Sequence, residues 1–362
     1  MPPETGIPLA FVIAAAVTLA VTPIVIQIAL RTSFLDRPIG YKRHDRPTPY
    51  LGGGAIMAGF LVAVLPIGVA VNRYGVVFAC AGCMWLLGTI DDRRGLSPWT
   101  RVAVQTAAAA ALWSTGHGWS VMPGDAANLL LTTLWIVGVV NAFNLMDNID
   151  GACASVAGAA ALGAGALAAV SGRWALAASC AALAGACAGF LPHNLRSPAR
   201  VFMGDGGSMP LGLLVGALTM TAASTPALGL AGVVVASLIV GVVVLDATLV
   251  TVSRRRGGRP LLTGARDHLT HRLLTRIGSA RGVAFSLAAA QLVLGTVTVA
   301  LSQADAGWVL GLGCVALASG VGLITLLESS RWTQPVHAAV ATDRTLLRPA
   351  RSSPALLAQE YL

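Results

Sequence analysis

The chain reads as long apolar runs divided by short polar ones, with no two-residue alternation. Eleven runs, approximately 6–30, 51–72, 75–90, 100–116, 127–145, 152–171, 173–192, 209–225, 228–252, 281–303 and 306–328, are dominated by Ala, Leu, Val and Gly. About 20 apolar residues cross the hydrocarbon of a bilayer as a helix, and only helices or closed barrels satisfy their backbone groups there. The pattern predicts an all-α, polytopic integral membrane protein with about 11 (10–11) transmembrane helices. The first run lacks the charged start and small-residue cleavage pattern of a signal peptide, so it is read as a retained helix.

Composition agrees. Of 362 residues, 56% are hydrophobic and 11% charged, against about 25% charged in soluble domains, and mean hydropathy is +0.75. The net charge of +9 could suggest nucleic acid, but its distribution argues otherwise. With the N-terminus outside, every Lys and Arg except Arg73 and Arg173 falls in an inner loop or the C-terminal tail. That asymmetry is a topology signal, giving an outer N-terminus and a cytoplasmic tail. Residues 1–328 are expected to form one transmembrane catalytic domain, and 329–362, with their Pro, Ser and Arg content, a weakly ordered cytoplasmic tail. The six cysteines lie in or beside apolar runs and imply no disulfides.

The polar residues concentrate in the inner loops, so one face of the membrane carries the chemistry. The third run ends in Asp91-Asp92 and the fifth near Asp147 and Asp150. A helix C-terminus already carries partial negative charge, so acids there are unfavourable, and a divalent cation with phosphate ligands would compensate them. Asn141, Asn144, Asp147 and Asp150 recur every three residues; they converge only if the helix ends or tightens near Asn144, which the left-handed tolerance of Asn148 and Gly151 would permit. In "FMGDGGSMPLG", Ser208 is a candidate N-cap with Pro210 in the first turn. A Gly-rich approach to a helix N-terminus suits an anion, and Asp205 could hold a metal against phosphate oxygens. His268 and His271, three apart, share a helical face with Arg272 and suit a diphosphate, or a base and sugar. Arg254, Arg255 and Arg256 look like a membrane-surface anchor. Lys42, the only lysine, stands in a basic patch suited to lipid or phosphate.

These motifs together resemble the polyprenyl-phosphate N-acetylhexosamine-1-phosphate transferases. "DRPIGYKRHDRPTPYLGGG", "DDRRGLSPWTRVAVQ", "NAFNLMDNIDGACA", "FMGDGGS" and "DHLTHRLL" are similar to five family motifs in order, from about Asp36 to Arg272. The resemblance implies transfer of a sugar-1-phosphate from a UDP-sugar to polyprenyl phosphate with release of UMP, using Mg²⁺ or Mn²⁺, at a bacterial plasma membrane with the active site facing the cytoplasm. It implies Asp205 and Asp92 as metal ligands, and Asp91, Asp92 and Asp150 as catalytic acids. Asn144, Asp147, His268, His271 and Arg272 would contact the nucleotide sugar, and Lys42 the lipid phosphate. Expected partners are a UDP-N-acetylhexosamine, a polyprenyl phosphate and the membrane, with a second copy of the chain an option and no nucleic acid. Asn148 stands where the family commonly has Gly, and Ala152 where it has Leu. Two spaced histidines rather than three consecutive ones, and Phe143, favour the GlcNAc-1-phosphate branch over the pentapeptide branch. A secondary transporter is the alternative from another class; its best support is Asp246, inside an apolar run.

Overall fold

All eleven apolar runs fold as helices in the computed structural model, which describes residues 6–36, 47–260, 266–304, 306–329 and 332. In chain order the helices are α1 (Gly6–Arg31), α2 (Gly52–Val64), α3 (Gly68–Arg94), α4 (Pro98–Ser114), α5 (Asp125–Met146), α6 (Ala152–Val170), α7 (Trp174–Asn194), α8 (Asp205–Ala223), α9 (Ala231–Ile239), α10 (Gly241–Arg256), α11 (Leu269–Ile277), α12 (Ala280–Ser302) and α13 (Ala306–Leu327). A two-residue antiparallel pairing, β1 (Leu35–Asp36) with β2 (Thr48–Pro49), sets Leu35 opposite Pro49. Most of the expected tail, 329–362, lies outside the described residues, as does Lys42.

Among the described residues, eight helices are long and apolar enough to cross a membrane singly. The bent pair α9–α10 would make a ninth. Helices α2 and α4 occupy the second and fourth runs but have 13 and 17 residues, so at about 1.5 Å per residue they fall short of a hydrocarbon core of about 30 Å. The second run ends earlier than its hydropathy suggests. The chain turns at Pro66, which has no N–H to extend α2, and Arg73 therefore lies within α3.

The ninth run also differs from a single span: α9 and α10 meet at 83°. The groups freed at the break are met by Gln291 of α12, fully buried, whose Oε1 accepts from the Val242 amide at 3.0 Å and whose Nε2 donates to the Leu238 carbonyl at 3.2 Å. Non-helical backbone at membrane depth requires such partners.

The hub of the bundle is α8, every residue of which after Asp205 is buried. Its small residues let neighbouring backbones approach closely. A Cβ at Gly88 of α3 would overlap the Asp205 carbonyl, and one at Gly53 of α2 would overlap Gly206. The outer surface is apolar: Leu134, Val293, Trp308 and Leu317 are all more than 60% exposed. An exposed apolar girdle around a buried small-residue core is the arrangement lipid solvation requires. This is a multi-pass membrane protein.

Candidate active site at one end of the bundle

The start of α8 meets the ends of α3 and α5. Gly204 precedes it with φ +69°, a conformation open to glycine, and a Cβ there would strike the Asp92 carboxylate. That carboxylate accepts the Asp205 amide on Oδ1 at 2.9 Å and the Gly206 amide on Oδ2 at 3.0 Å. The anion at this helix N-terminus is thus a side chain from α3, and it offsets the mismatch of an acid at the α3 C-terminus. Ser208 is not the N-cap. The helix begins three residues before it, because Asp92 supplies the cap in trans, and Pro210 falls in the second turn.

Asn144, in the last turn of α5, donates through Nδ2 to Asp205 Oδ1 at 2.6 Å and to Ser208 Oγ at 3.0 Å. On the other side of Asp205 stands Arg101 of α4, whose Nη1 is 3.6 Å from Asp205 Oδ2 and 3.0 Å from Asp91 Oδ2. Asp91 also accepts the Leu96 amide, tightening the turn between α3 and α4. The Asp91 and Asp205 carboxylates thus share one Arg101 nitrogen and stand close enough to repel each other. Two acids so close need a cation or a shared proton, which is the donor chemistry a divalent metal takes together with substrate oxygens. Among the described residues, no three His, Cys, Asp or Glu side chains form a ready-made metal cage. One or two carboxylates completed by phosphate oxygens is the Mg²⁺ pattern, and Asp205 with its neighbours fits it.

Helix α5 ends at Met146, so the three-residue repeat does not continue as helix and the acids beyond Asn144 gather in a turn. Gly151 takes the left-handed conformation expected of it, with φ +79°. Asn148 does not; its Nδ2 instead donates to the Leu145 carbonyl at 2.6 Å, and its Oδ1 accepts from Thr270 Oγ1 of α11. Asn194, at the end of α7, accepts the Gly151 amide at 2.6 Å and donates to the Val201 carbonyl at 2.9 Å, joining this turn to the approach of α8. Asp147 is pushed well above the usual carboxylate range, first by burial and then by the charges of Asp205, Asp92 and Asp150. Asp150 is half-buried in the same turn.

The histidine motif is divided between two tasks. His268 is the N-cap residue of α11 in extended backbone rather than a helical position, yet its ring meets that of His271 edge-on at 6.1 Å. Burial and the neighbouring His268 and Arg266 lower the His271 pKa to about 4, so it is a neutral hydrogen-bonding group at neutral pH. Arg272, expected at the substrate, is turned away. Its guanidinium donates to the Asp267 and Leu327 carbonyls, to Ser253 Oγ at 3.1 Å and to Glu328 Oε1 at 2.5 Å, tying α11 to α10 and α13. Arg254 likewise leaves the surface: it is 2% exposed and forks onto Asp267 at 3.1 and 3.2 Å. Those bonds hold the Asp267 carboxyl below its ordinary range in spite of the burial that opposes them.

Two residues the sequence reading left unmarked belong to this end of the bundle. Arg101 was visible only as a cation inside "DDRRGLSPWTR", one loop after Asp91, while the second acid that it bridges, Asp205, lies far along the chain. Tyr50 lies among Asp36, Asp92 and Asp147, and burial followed by the Asp36 and Asp92 charges pushes its phenol far above its ordinary range, leaving a neutral O–H donor. Its ring packs on Phe34 and Phe202 at 6.2 and 6.3 Å.

Comparison with known proteins points to the same end of the molecule. The sequence profile of "Glycosyl transferase family 4" matches residues 74–223, which contain Asp91, Asp92, Arg101, Asn144, Asp147, Asp150 and Asp205. The chain is 32% identical, over 73% of its length and 76% of the relative's, to a Bacillus subtilis protein named "Probable undecaprenyl-phosphate N-acetylglucosaminyl 1-phosphate transferase". It is 34% identical, over 72% of its length and 73% of the relative's, to the decaprenyl-phosphate N-acetylglucosaminephosphotransferase of Mycolicibacterium smegmatis. The undecaprenyl-phosphate alpha-N-acetylglucosaminyl 1-phosphate transferase of Yersinia pestis is 28% identical over 74% of this chain and 77% of its own.

Proposed function

Since the chain belongs to glycosyl transferase family 4, we propose that it transfers N-acetylglucosamine-1-phosphate from UDP-N-acetylglucosamine to a polyprenyl phosphate. The products are a polyprenyl-diphosphate sugar and UMP. The observation that carries this reading is the convergence of Asp91, Asp92, Asn144, Asp147 and Arg101 on Asp205, at the mouth of a helix otherwise wholly buried. In the reaction, an oxygen of the lipid phosphate bonds to the phosphorus that bears the sugar. The bond from that phosphorus to the bridging oxygen breaks, and its electron pair leaves with UMP. The acceptor, with a second pKa of about 6, is largely dianionic at neutral pH and needs little help from a base.

Phosphoryl transfer of this kind is mostly positioning and charge neutralisation. Asp205, with Asp91 and with the lone pairs the amide bonds of Asp92 leave free, would hold Mg²⁺ or Mn²⁺. That ion would neutralise the diphosphate oxygens. Asn144 fixes the Asp205 carboxylate in one rotamer, Arg101 limits repulsion between Asp91 and Asp205, and Asp147 and Asp150 border the place where the nucleotide would lie. His268 would meet the diphosphate or sugar. The excess of Lys and Arg in the loops at this end supports a cytoplasmic orientation of the site, the side on which a nucleotide sugar would be supplied. A polyprenyl chain would reach the site from the apolar girdle.

The test is turnover of purified protein with undecaprenyl phosphate and Mg²⁺, offering UDP-N-acetylglucosamine and UDP-N-acetylmuramoyl-pentapeptide in parallel. Turnover with the first alone, abolished by chelation and by Asp205→Asn, is expected. Turnover only with the pentapeptide substrate would keep the chemistry and overturn the choice of sugar. Uptake of a solute into vesicles without nucleotide release would favour a transporter.

A further inference from the structure

Asp246 is fully buried in α10, beyond the bend that separates it from α9. Burying a carboxylate is expensive unless the charge is paired and hydrogen-bonded. Both of its oxygens are used, and both serve one turn of chain. Oδ1 accepts the Leu269 amide at 2.6 Å, and Oδ2 accepts from His268 Nδ1 at 2.9 Å. Among the described residues its ion-pair partner is His268.

The Leu269 amide hydrogen cannot leave, so Oδ1 is always an acceptor there. A carboxylate oxygen can only accept, so an Oδ2 of that form calls for the ring proton on the Nδ1 that faces it. His268 is 4% exposed. With Nδ1 held by Asp246, Nε2 is the ring nitrogen on the side away from that carboxylate. Two residues on, Thr270 Oγ1 donates to Asn148 Oδ1, which anchors this turn of α11 against the Asp147–Asp150 loop. A carboxylate that holds the far nitrogen of a histidine sets its tautomer and its orientation.

We propose that Asp246 is a positioning residue of the transfer reaction: it fixes His268 with the proton on Nδ1 and so reserves Nε2 for the diphosphate-sugar substrate. This rests on the function proposed above for its kinetic part only; the protonation pattern stands independently of it.

The experiment uses the full chain in lipid nanodiscs with ¹⁵N-labelled histidine, the His268 resonances being assigned by His268→Gln. Native protein at neutral pH is expected to show Nδ1 of His268 protonated. In Asp246→Asn the amide oxygen still caps Leu269, since Asn is as good a cap as Asp, while its NH₂ group now faces the ring. Nδ1 should then lose its proton and Nε2 gain one. Turnover should fall by about 10-fold or more, since the partners that orient a working imidazole are worth at least that much, with UMP affinity retained. In the His268→Gln background the same change should cost nothing further. An unprotonated Nδ1 in the native chain overturns the proposal without any variant, which covers the case in which Asp246→Asn fails to fold. An unchanged tautomer, unchanged turnover, or an equal loss in the His268→Gln background also overturns it. A native chain that turns over no nucleotide sugar contradicts the proposed function instead, and with it the kinetic role.

Discussion

Asp92, in the last turn of α3, accepts the amides of Asp205 and Gly206, in the first turn of α8, at 2.9 and 3.0 Å. One acid therefore sets the direction in which another is presented. The two helices can come this close because residue 88, one turn before Asp92, is glycine, whose missing side chain leaves room for the Asp205 carbonyl.

Gly88→Ala should separate α3 from α8, since the obstruction is backbone and cannot rotate away. A loss of about 1–3 kcal/mol is expected, as for overpacked sites, together with a drop in turnover. Thermal unfolding in detergent and initial rates check it. Gly82→Ala, on the same helix with no atom near the position of a Cβ, should be silent in both.

Removing the cap itself has a graded expectation. Asp92→Ala leaves two amides at the start of α8, that of Gly206 in a buried residue, without an acceptor and should destabilise by about 1–3 kcal/mol. Asp92→Asn keeps one oxygen and should lose less. Equal unfolding temperatures for the two variants would show that the cap contributes little.

Asn144→Ala deletes the bonds to Asp205 and Ser208 while α5 retains its helix-forming residues. Turnover should fall by about 10- to 100-fold, as when a partner orienting a ligand is removed. The unfolding temperature should change little, because Asn144 is only partly buried. A stability loss with unchanged specific activity would make it a packing residue.

Much of this was legible in the polar pattern. The eleven apolar runs are all helical, the ninth broken into two helices, and the acids at the ends of two runs meet the Gly-rich start of a third. What escaped depends on partners remote in sequence. The bend before Asp246 is tolerated because Gln291 of α12 feeds hydrogen bonds into it. Arg272 looks like an anion ligand until Ser253, Leu327 and Glu328 fold around it. Ser208 has the residue type of a cap, but the cap arrives from another helix. Local sequence offers each such group without revealing which neighbour will claim it.

The raised pKa of Asp147 makes a signed prediction. Its folded-state value lies above the unfolded one of about 3.9, so the folded chain binds the extra proton. Stability from this group is full below the unfolded pKa and declines as pH rises through the folded one, by up to about 1.4 kcal/mol per pH unit. Asp147→Asn should flatten the fall in unfolding temperature on raising pH from mildly acidic to neutral. A steeper fall in the variant would reverse the assignment.

Arg101→Gln removes the cation bridging Asp91 and Asp205. Because the guanidinium is partly exposed, the stability cost should stay near about 1 kcal/mol. The site becomes more negative, so Mn²⁺, followed by electron paramagnetic resonance, should bind more tightly, while turnover falls. Weaker Mn²⁺ binding would place the cation away from this pair.

The central claim is that the acids around Asp205 pass on a sugar together with its phosphate. Identifying the nucleotide released when UDP-N-acetylglucosamine and polyprenyl phosphate meet the purified chain tests it most directly. UMP, matched by a lipid product heavier by one N-acetylglucosamine-1-phosphate unit and absent with Asp205→Asn, is the predicted result. Release of UDP, with a lipid product gaining the sugar alone, would contradict the account.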